Sequence, residues 1–155
     1  MTSQQVQPVA SIQIEQVEID FLMLADRAEV INGKIYMMGG AWDRQQIADF
    51  TKPTTISMVV GVVVPWTLTN EPHSVHIFIE HEDGSKLEPQ ISGVVTVGRP
   101  LNATRGQKFR AVVPITAQWI LRGPGTYRVV ASLQDGQDKR TVFYAQQSPN
   151  PSPSR

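Results

Sequence analysis

The stretch that decides the fold is VEIDFLMLADRAEVINGKIYMMGGAWD, residues 17–43. Strand-forming residues stand on both sides of Asn32 and Gly33, and these two residue types tolerate the positive φ angles that a type I′ turn requires. The stretch therefore predicts a long β-hairpin. A two-residue loop at this place sets Val30 opposite Ile35 and Asp26 opposite Gly39.

This register divides the hairpin into two faces. The less polar face, which we expect to lie against the core, carries Leu24, Ala28, Val30, Ile35 and Met37. The other face carries Arg27, Glu29, Ile31, Lys34, Tyr36 and Met38. Asp26 falls on the core face, and an unpaired buried polar group costs roughly 2 to 7 kcal/mol. We therefore expect the Asp26 carboxylate to be buried beside Gly39 and to accept backbone N–H groups there.

Further strands follow from the distribution of β-branched and apolar residues. Residues 54–64, TTISMVVGVVV, are apolar on both faces and predict a central strand, with Gly61 as the site of a bulge. Residues 43–50 predict either a helical turn capped by Asp43 or an irregular crossover between strands. Pro114 lacks an N–H group, so its strand is expected at a sheet edge or at a bulge.

Alternating apolar residues predict the inward sets of two further strands, Val75, Ile77 and Ile79 in one and Tyr127, Val129, Ala131 and Leu133 in the other. The segment GPGTY at 123–127 resembles the tyrosine corner of immunoglobulin-like sandwiches. With about eight strands and no long helical periodicity, the chain is predicted to be all-β, an antiparallel immunoglobulin-like β-sandwich. The predicted domain covers residues 16–146, between a flexible N-terminal segment, 1–15, and a disordered Pro/Ser tail, 147–155. Within the N-terminal segment, Ile12 and Ile14 suggest a short edge strand.

The composition excludes several classes of function. Fourteen Lys and Arg balance fourteen Asp and Glu, so no net field favours nucleic acid or an anionic membrane surface. A chain without cysteine has no disulfide, no thiolate metal site and no cysteine nucleophile. No apolar run approaches the roughly 20 residues that span a bilayer. We therefore expect a cytoplasmic protein that binds neither nucleic acid nor membrane, and a net charge near zero favours self-association.

Catalytic motifs are absent from the sequence: it contains no G-x-S-x-G elbow, P-loop, G-x-G-x-x-G or H-E-x-x-H pattern. His73, His76, Glu80, His81, Glu82 and Asp83 lie close in sequence, but on a strand His76 and Glu80 stand about 13 Å apart, too far to share one metal ion. The prediction is therefore a protein that is not an enzyme and that binds no metal or other cofactor.

Two sets of charges are the candidate interaction residues. A basic loop contains Arg99, Arg105, Lys108 and Arg110, and an acidic turn contains Glu80, Glu82 and Asp83. Complementary patches of this kind can dock head to tail, so we expect a protein partner or a second copy of the chain. The alternative is a small-ligand or carbohydrate-binding domain, with Trp66 as an exposed anchor at a strand end. Trp66 and Trp42 can equally cap the ends of the sandwich.

Several segments resemble a family of uncharacterised bacterial proteins that is classed as a domain of unknown function. They are FLMLADRAEVINGKIYMMGGAWD at 21–43, VVPWTLTNEPH at 63–73, EHEDG at 80–84 and GPGTYRVVASLQDG at 123–136. The resemblance covers about residues 17 to 146. It implies a small β-sandwich and brings no functional residues with it.

Overall fold

The computed structural model describes residues 15–134 and 136–149. The described residues form nine β-strands, one more than the count of about eight, and a short 3₁₀ helix at Trp66–Leu68. The strands are β1 Glu18–Ile31, β2 Lys34–Gly40, β3 Arg44–Ile47, β4 Thr54–Pro65, β5 Pro72–His81, β6 Ile91–Thr96, β7 Lys108–Trp119, β8 Gly125–Leu133 and β9 Asp138–Gln147. The edge strand expected at Ile12 and Ile14 lies outside the described residues, and the domain boundaries stay predictions.

The strands form two sheets that share one hydrophobic core. The first sheet has the order β2-β1-β4-β7, and the second has the order β3-β9-β8-β5-β6. Trp119, Tyr127 and Phe143 are the largest fully buried side chains. Burial of a single large apolar side chain contributes about 1.5 to 3 kcal/mol, so the shared core supplies most of the cohesion between the sheets. The all-β prediction is confirmed.

One sheet edge departs from the predicted antiparallel order. Residues 43–50 cross between the two sheets, as one of the two expected alternatives has it, but they contain the four-residue strand β3, which pairs in parallel with β9, and no helical turn. The Tyr144 N–H donates to the Asp43 carbonyl at 2.8 Å. The Gln147 side chain donates to the carbonyls of Ile47 and Ala48. These bonds to β9 hold residues 44–47 extended, and a helical turn would leave them unmade.

The opening hairpin has the predicted register. Val30 lies opposite Ile35, and the turn residues Asn32 and Gly33 have φ angles of 51° and 72°. A Cβ atom built at Gly39 would lie 2.1 Å from a carboxylate oxygen of Asp26, so the glycine leaves the room that the prediction required.

The predicted burial of Asp26 was wrong, because Asp26 is exposed. Strand β1 pairs with β4 from Glu18 to Ala25 and only with β2 from there to Ile31. The tip of the hairpin therefore extends past the neighbouring strand, and its expected core face reaches water.

The central strand is β4, as predicted, and it is buried on both faces. Phe21 of β1 covers Gly61, where an added Cβ would lie 2.2 Å from the phenyl ring. The pairing of β1 with β4 shifts between Ile19 and Phe21, so the irregularity expected at Gly61 is present opposite it, at Asp20. The edge position expected of the Pro114 strand is confirmed, since β7 ends its sheet.

Tyr127 ties the start of β8 to the loop before it. Its buried hydroxyl donates to the Gly123 carbonyl at 2.7 Å and accepts from the Arg122 N–H at 2.9 Å. Its ring stacks on Phe143 with the centroids 5.2 Å apart. Burial raises the pKa of Tyr127 above its ordinary value.

Replacing Tyr127 with Phe tests this tie. Tyr127→Phe keeps the ring and leaves both loop groups without their partner, so we expect the free energy of unfolding to fall by about 1 to 3 kcal/mol. Urea denaturation measures the change. Tyr144→Phe is the control, since Tyr144 is 42% exposed and its change should stay within roughly 0.5 kcal/mol. Equal effects of the two substitutions would contradict the proposed tie.

Candidate functional site

The two predicted charged sets lie at opposite ends of the molecule. The loop that carries Arg99 and Arg105 joins the end of β6 to the start of β7, where Thr96 pairs with Pro72 and Lys108 with Pro65. Glu80, Glu82 and Asp83 lie at the far end of β5. A ten-residue strand at about 3.3 Å per residue separates the two sets by roughly 30 Å.

The basic set is built around Trp66. The guanidinium carbon of Arg99 lies 3.6 Å from the centroid of the Trp66 ring, and that of Arg105 lies 5.3 Å from it. Arg99 also donates to the Thr69 hydroxyl and to the Trp66 carbonyl, at 2.9 and 3.0 Å. Such stacking is worth about 0.5 to 2 kcal/mol.

Trp66 is therefore not the exposed anchor that the ligand-binding alternative requires. Its ring is stacked under the arginines of its own chain, and its indole nitrogen is buried. A sugar ring has no open face of the indole at the position Arg99 occupies. Trp42 is likewise partly buried, with its ring edge-to-face against Phe143.

The remaining basic residues do not join one patch. Arg110 lies on β7 and donates to the Asp20 carboxylate of β1 at 2.7 Å. Lys108 is exposed at the start of β7. The four cations are close in sequence, but their contacts differ: Arg99 and Arg105 lie over Trp66, whereas Arg110 reaches across the sheet to Asp20 of β1.

The acidic residues are also engaged within the molecule. Glu80 accepts from the Arg128 guanidinium at 2.9 Å, and Glu82 accepts from the Thr126 N–H at 3.2 Å. Asp83 accepts from the Ser85 N–H at 2.8 Å and closes the turn after β5. Head-to-tail docking through these groups would have to displace their present partners.

Histidines on β5 are held by polar neighbours. His76 contacts the Ser92 hydroxyl and the side-chain amide oxygen of Gln90, and His73 contacts the backbone carbonyl of Leu68. Within residues 15–134 and 136–149, no three His, Asp or Glu side chains lie close enough together to hold a metal ion.

An exposed apolar surface lies on the opening hairpin. Ile31, Tyr36 and Met38 are 50%, 55% and 68% exposed, and all three stand on one side of the hairpin, here called the hairpin face. The ion pair of Arg27 with Glu29, 2.6 Å long, lies among them. The hairpin register predicts these three residues on the more polar side, and there they form an exposed apolar surface.

A second apolar feature, here called the edge cleft, opens between the last strands of the two sheets. Its volume is about 130 Å³. The buried residues Val60, Val75 and Ile77 form its floor. Half-buried or exposed residues of β6 and β7 form its walls: Ile91, Gly93, Val94, Val95, Val113 and Ile115. Gly93 leaves a gap, because a Cβ built there meets nothing within 4 Å. Strand periodicity predicted the inward residues but not which strands end the sheets.

Asp83 makes the acidic turn sensitive to pH. The Ser85 hydroxyl and then the Ser85 N–H hold the pKa of Asp83 at about 2, below the ordinary 3.8. A lowered folded-state pKa stabilises the fold above the unfolded value, and that stabilisation is lost as the pH falls from about 4 to 2.

Asp83→Asn should accordingly be less stable than the parent protein at pH 7, and the difference should shrink between pH 4 and pH 2. Thermal unfolding across this pH range measures it. Ser85→Ala removes the hydroxyl that donates to Asp83. The stability that is lost between pH 4 and pH 2 should therefore be smaller in Ser85→Ala than in the parent protein. A difference that stays constant from pH 7 to pH 2 would contradict this role for Asp83.

Comparison with known proteins places the chain in a family but assigns it no activity. No helix in the described part of the chain is long and apolar enough to cross a membrane. No curated protein matches the sequence. The model of a family of unknown function, DUF6941, matches residues 20–146, which include the hairpin, both charged sets and the edge cleft. The chain therefore belongs to the DUF6941 family of unknown function.

Proposed function

We propose that this protein is a non-enzymatic binding module that assembles with a second copy of itself through the hairpin face. The observation that carries this proposal is the exposure of Ile31, Tyr36 and Met38 together at a sheet edge. Contiguous apolar patches rimmed by charged groups mark interaction sites on soluble proteins. Tyr and Met are also enriched at protein interfaces.

The backbone of β2 supports the same surface. Among the described strands β2 pairs only with β1, so its outer side presents unpaired N–H and C=O groups. Sheet edges are normally protected by proline, lysine, bulges or short length. Strand β3 has only four residues, whereas the centre of β2, IYMM, carries none of these features.

Antiparallel pairing of two β2 strands satisfies these groups without a charge clash. With the two-fold axis at Tyr36, the residue opposite Lys34 is Met38 of the second copy, so the lysines do not meet. The interface is isologous and closes as a dimer. The equal numbers of acidic and basic residues leave no net repulsion between copies.

We further propose that the scaffold is an immunoglobulin-like sandwich. With β1, β4 and β7 taken as strands A, B and E, and β5, β6, β8 and β9 as C, C′, F and G, the sheet orders read A-B-E and C′-C-F-G. This order and the Tyr127 hydroxyl bonds at the start of strand F support the assignment. In these terms β2 and β3 are additions between A and B.

The carbohydrate or small-ligand alternative loses its main support, because Arg99 covers the Trp66 ring. Head-to-tail assembly has the required placement at opposite ends, but Glu80, Asp83 and Arg110 already have partners. The hairpin face needs no such displacement, which is why we prefer it. The cytoplasmic location stays a prediction.

A single lysine on the proposed axis tests the dimer. In Tyr36→Lys the new side chain lies opposite Glu29 within its own hairpin, which keeps the monomer stable, but it meets its own copy across the axis. We expect the dimer dissociation constant to rise roughly tenfold or more, since tenfold corresponds to about 1.4 kcal/mol. Sedimentation velocity over a concentration series measures it.

Tyr144→Lys is the matched control. Tyr144 is 42% exposed, lies on β9 of the other sheet, and should leave the dissociation constant unchanged. A parent protein that stays monomeric at all concentrations would overturn the proposal, and so would equal weakening by the two substitutions.

A further inference from the structure

The edge cleft is a gap in the wall of the sandwich. Strand β7 ends the first sheet and β6 ends the second, and no described strand covers the space between them. Val113 and Ile115 of β7 lie opposite the core residues Val60 and Met58, yet both are only half-buried. An additional strand beside β7 would cover them.

The N-terminal sequence has the pattern of such a strand. From residue 5 to residue 15 it reads QVQPVASIQIE. The even-numbered residues are all apolar, whereas the odd-numbered ones are polar except for Val9; the even set is Val6, Pro8, Ala10, Ile12 and Ile14. Alternation of this kind, broken only at Val9, is typical of a strand with one buried face.

The chain enters the described structure at the appropriate end of the cleft. The Glu15 carboxylate accepts from the Thr67 hydroxyl at 2.6 Å, in the connection between β4 and β5. In the same region the Trp66 N–H donates to the Gln107 carbonyl, just before β7 begins. Glu15 therefore lies at the end of the molecule at which β7 begins.

Direction and length also fit. A segment that leads into Glu15 at this end runs antiparallel to β7, which starts here, and parallel to β6, which ends here. Antiparallel pairing is slightly the more stable of the two. The nine residue steps from Val6 to Glu15 span about 30 Å, within the roughly 40 Å of the twelve-residue β7. Pro114 removes at most one donor from that edge.

We propose that residues 5–14 add to the edge of β7 as an antiparallel strand, with the even-numbered side chains over the edge cleft. Ile12 and Ile14 are the large side chains of the set, and a cleft of about 130 Å³ accepts one such side chain fully. The C-terminal residues do not fit this role. Residues 150–155, NPSPSR, contain no Val, Leu or Ile, and they follow β9, which pairs with β3 at the other side of the second sheet.

The absence of cysteine allows a direct test on the full-length protein. In Ser11→Cys a nitroxide label sits at an odd-numbered position that faces solvent in the proposed strand. We expect it to broaden the amide signals of β7 and β6, and to leave those of β3 and β9 sharp. A mixture of labelled protein with unlabelled, ¹⁵N-enriched protein should show no broadening.

A pair of neighbouring substitutions supplies the second measurement. Ile12→Asp places a charge over the cleft, so the amides on the outer edge of β7 should exchange roughly tenfold faster or more. Gln13→Asp puts the same charge on the solvent side and should leave exchange unchanged.

Equal signal loss in β7 and β3 would overturn the proposal, and so would equal amide exchange in Ile12→Asp and Gln13→Asp. Broadening in the mixed sample would overturn it as well, because it would assign the segment to a second copy of the chain. The outcome is independent of dimerisation. Strands β2 and β7 are the opposite edges of one sheet. A negative result for the dimer at β2 therefore does not bear on the added strand at β7, and the reverse also holds.

Discussion

The burial of β4 on both of its faces is the constraint on which the rest of the structure depends. Met58 and Val60 point toward the second sheet, while Ser57 and Val59 point outward and are also buried. The outward Ser57 hydroxyl is within hydrogen-bonding distance of the Thr116 hydroxyl, 2.8 Å away, so a polar group is buried at small cost. Burial of β4 needs a neighbouring strand on each side, and β1 and β7 supply them. The first sheet therefore has at least three strands.

The two exposed apolar features follow from that arrangement. Strand β1 is longer than its pairing with β4, so its outer half and β2 extend from the sheet as a hairpin with Tyr36 and Met38 exposed. At the opposite edge, β7 pairs fully with β4 but has no described neighbour beyond it. Both surfaces are edges of one sheet, and each combines unpaired backbone groups with apolar side chains. Strand addition is the mode of recognition that uses both kinds of group.

Local patterns in the sequence predicted what depends on neighbours along the chain. The Asn32-Gly33 turn determines the register of its hairpin, and alternation at Tyr127 and Val129 determines which side chains face inward. The burial of Asp26 and the exposure of Trp66 depend on what lies across the sheet or above the ring. Asp26 is exposed because β4 is not its neighbour, and Trp66 is covered because Arg99 returns over it from a loop more than thirty residues later. The parallel pairing of β3 has the same origin, since its partner β9 lies about a hundred residues away.

The charged loops are the interaction sites that the sequence predicts, but the charged side chains there already contact other residues of the same chain. Arg99 is stacked on Trp66, Arg110 is paired with Asp20, and Glu80 is paired with Arg128. Exposed ion pairs of this kind contribute little stability, but each one uses a donor or acceptor that a partner would need. The charged groups at both ends of the molecule therefore already have partners within the chain. Apolar groups at the two edges of the first sheet have no such internal partners among the described residues. A strand that adds to either edge would remove these groups from water, which is favourable.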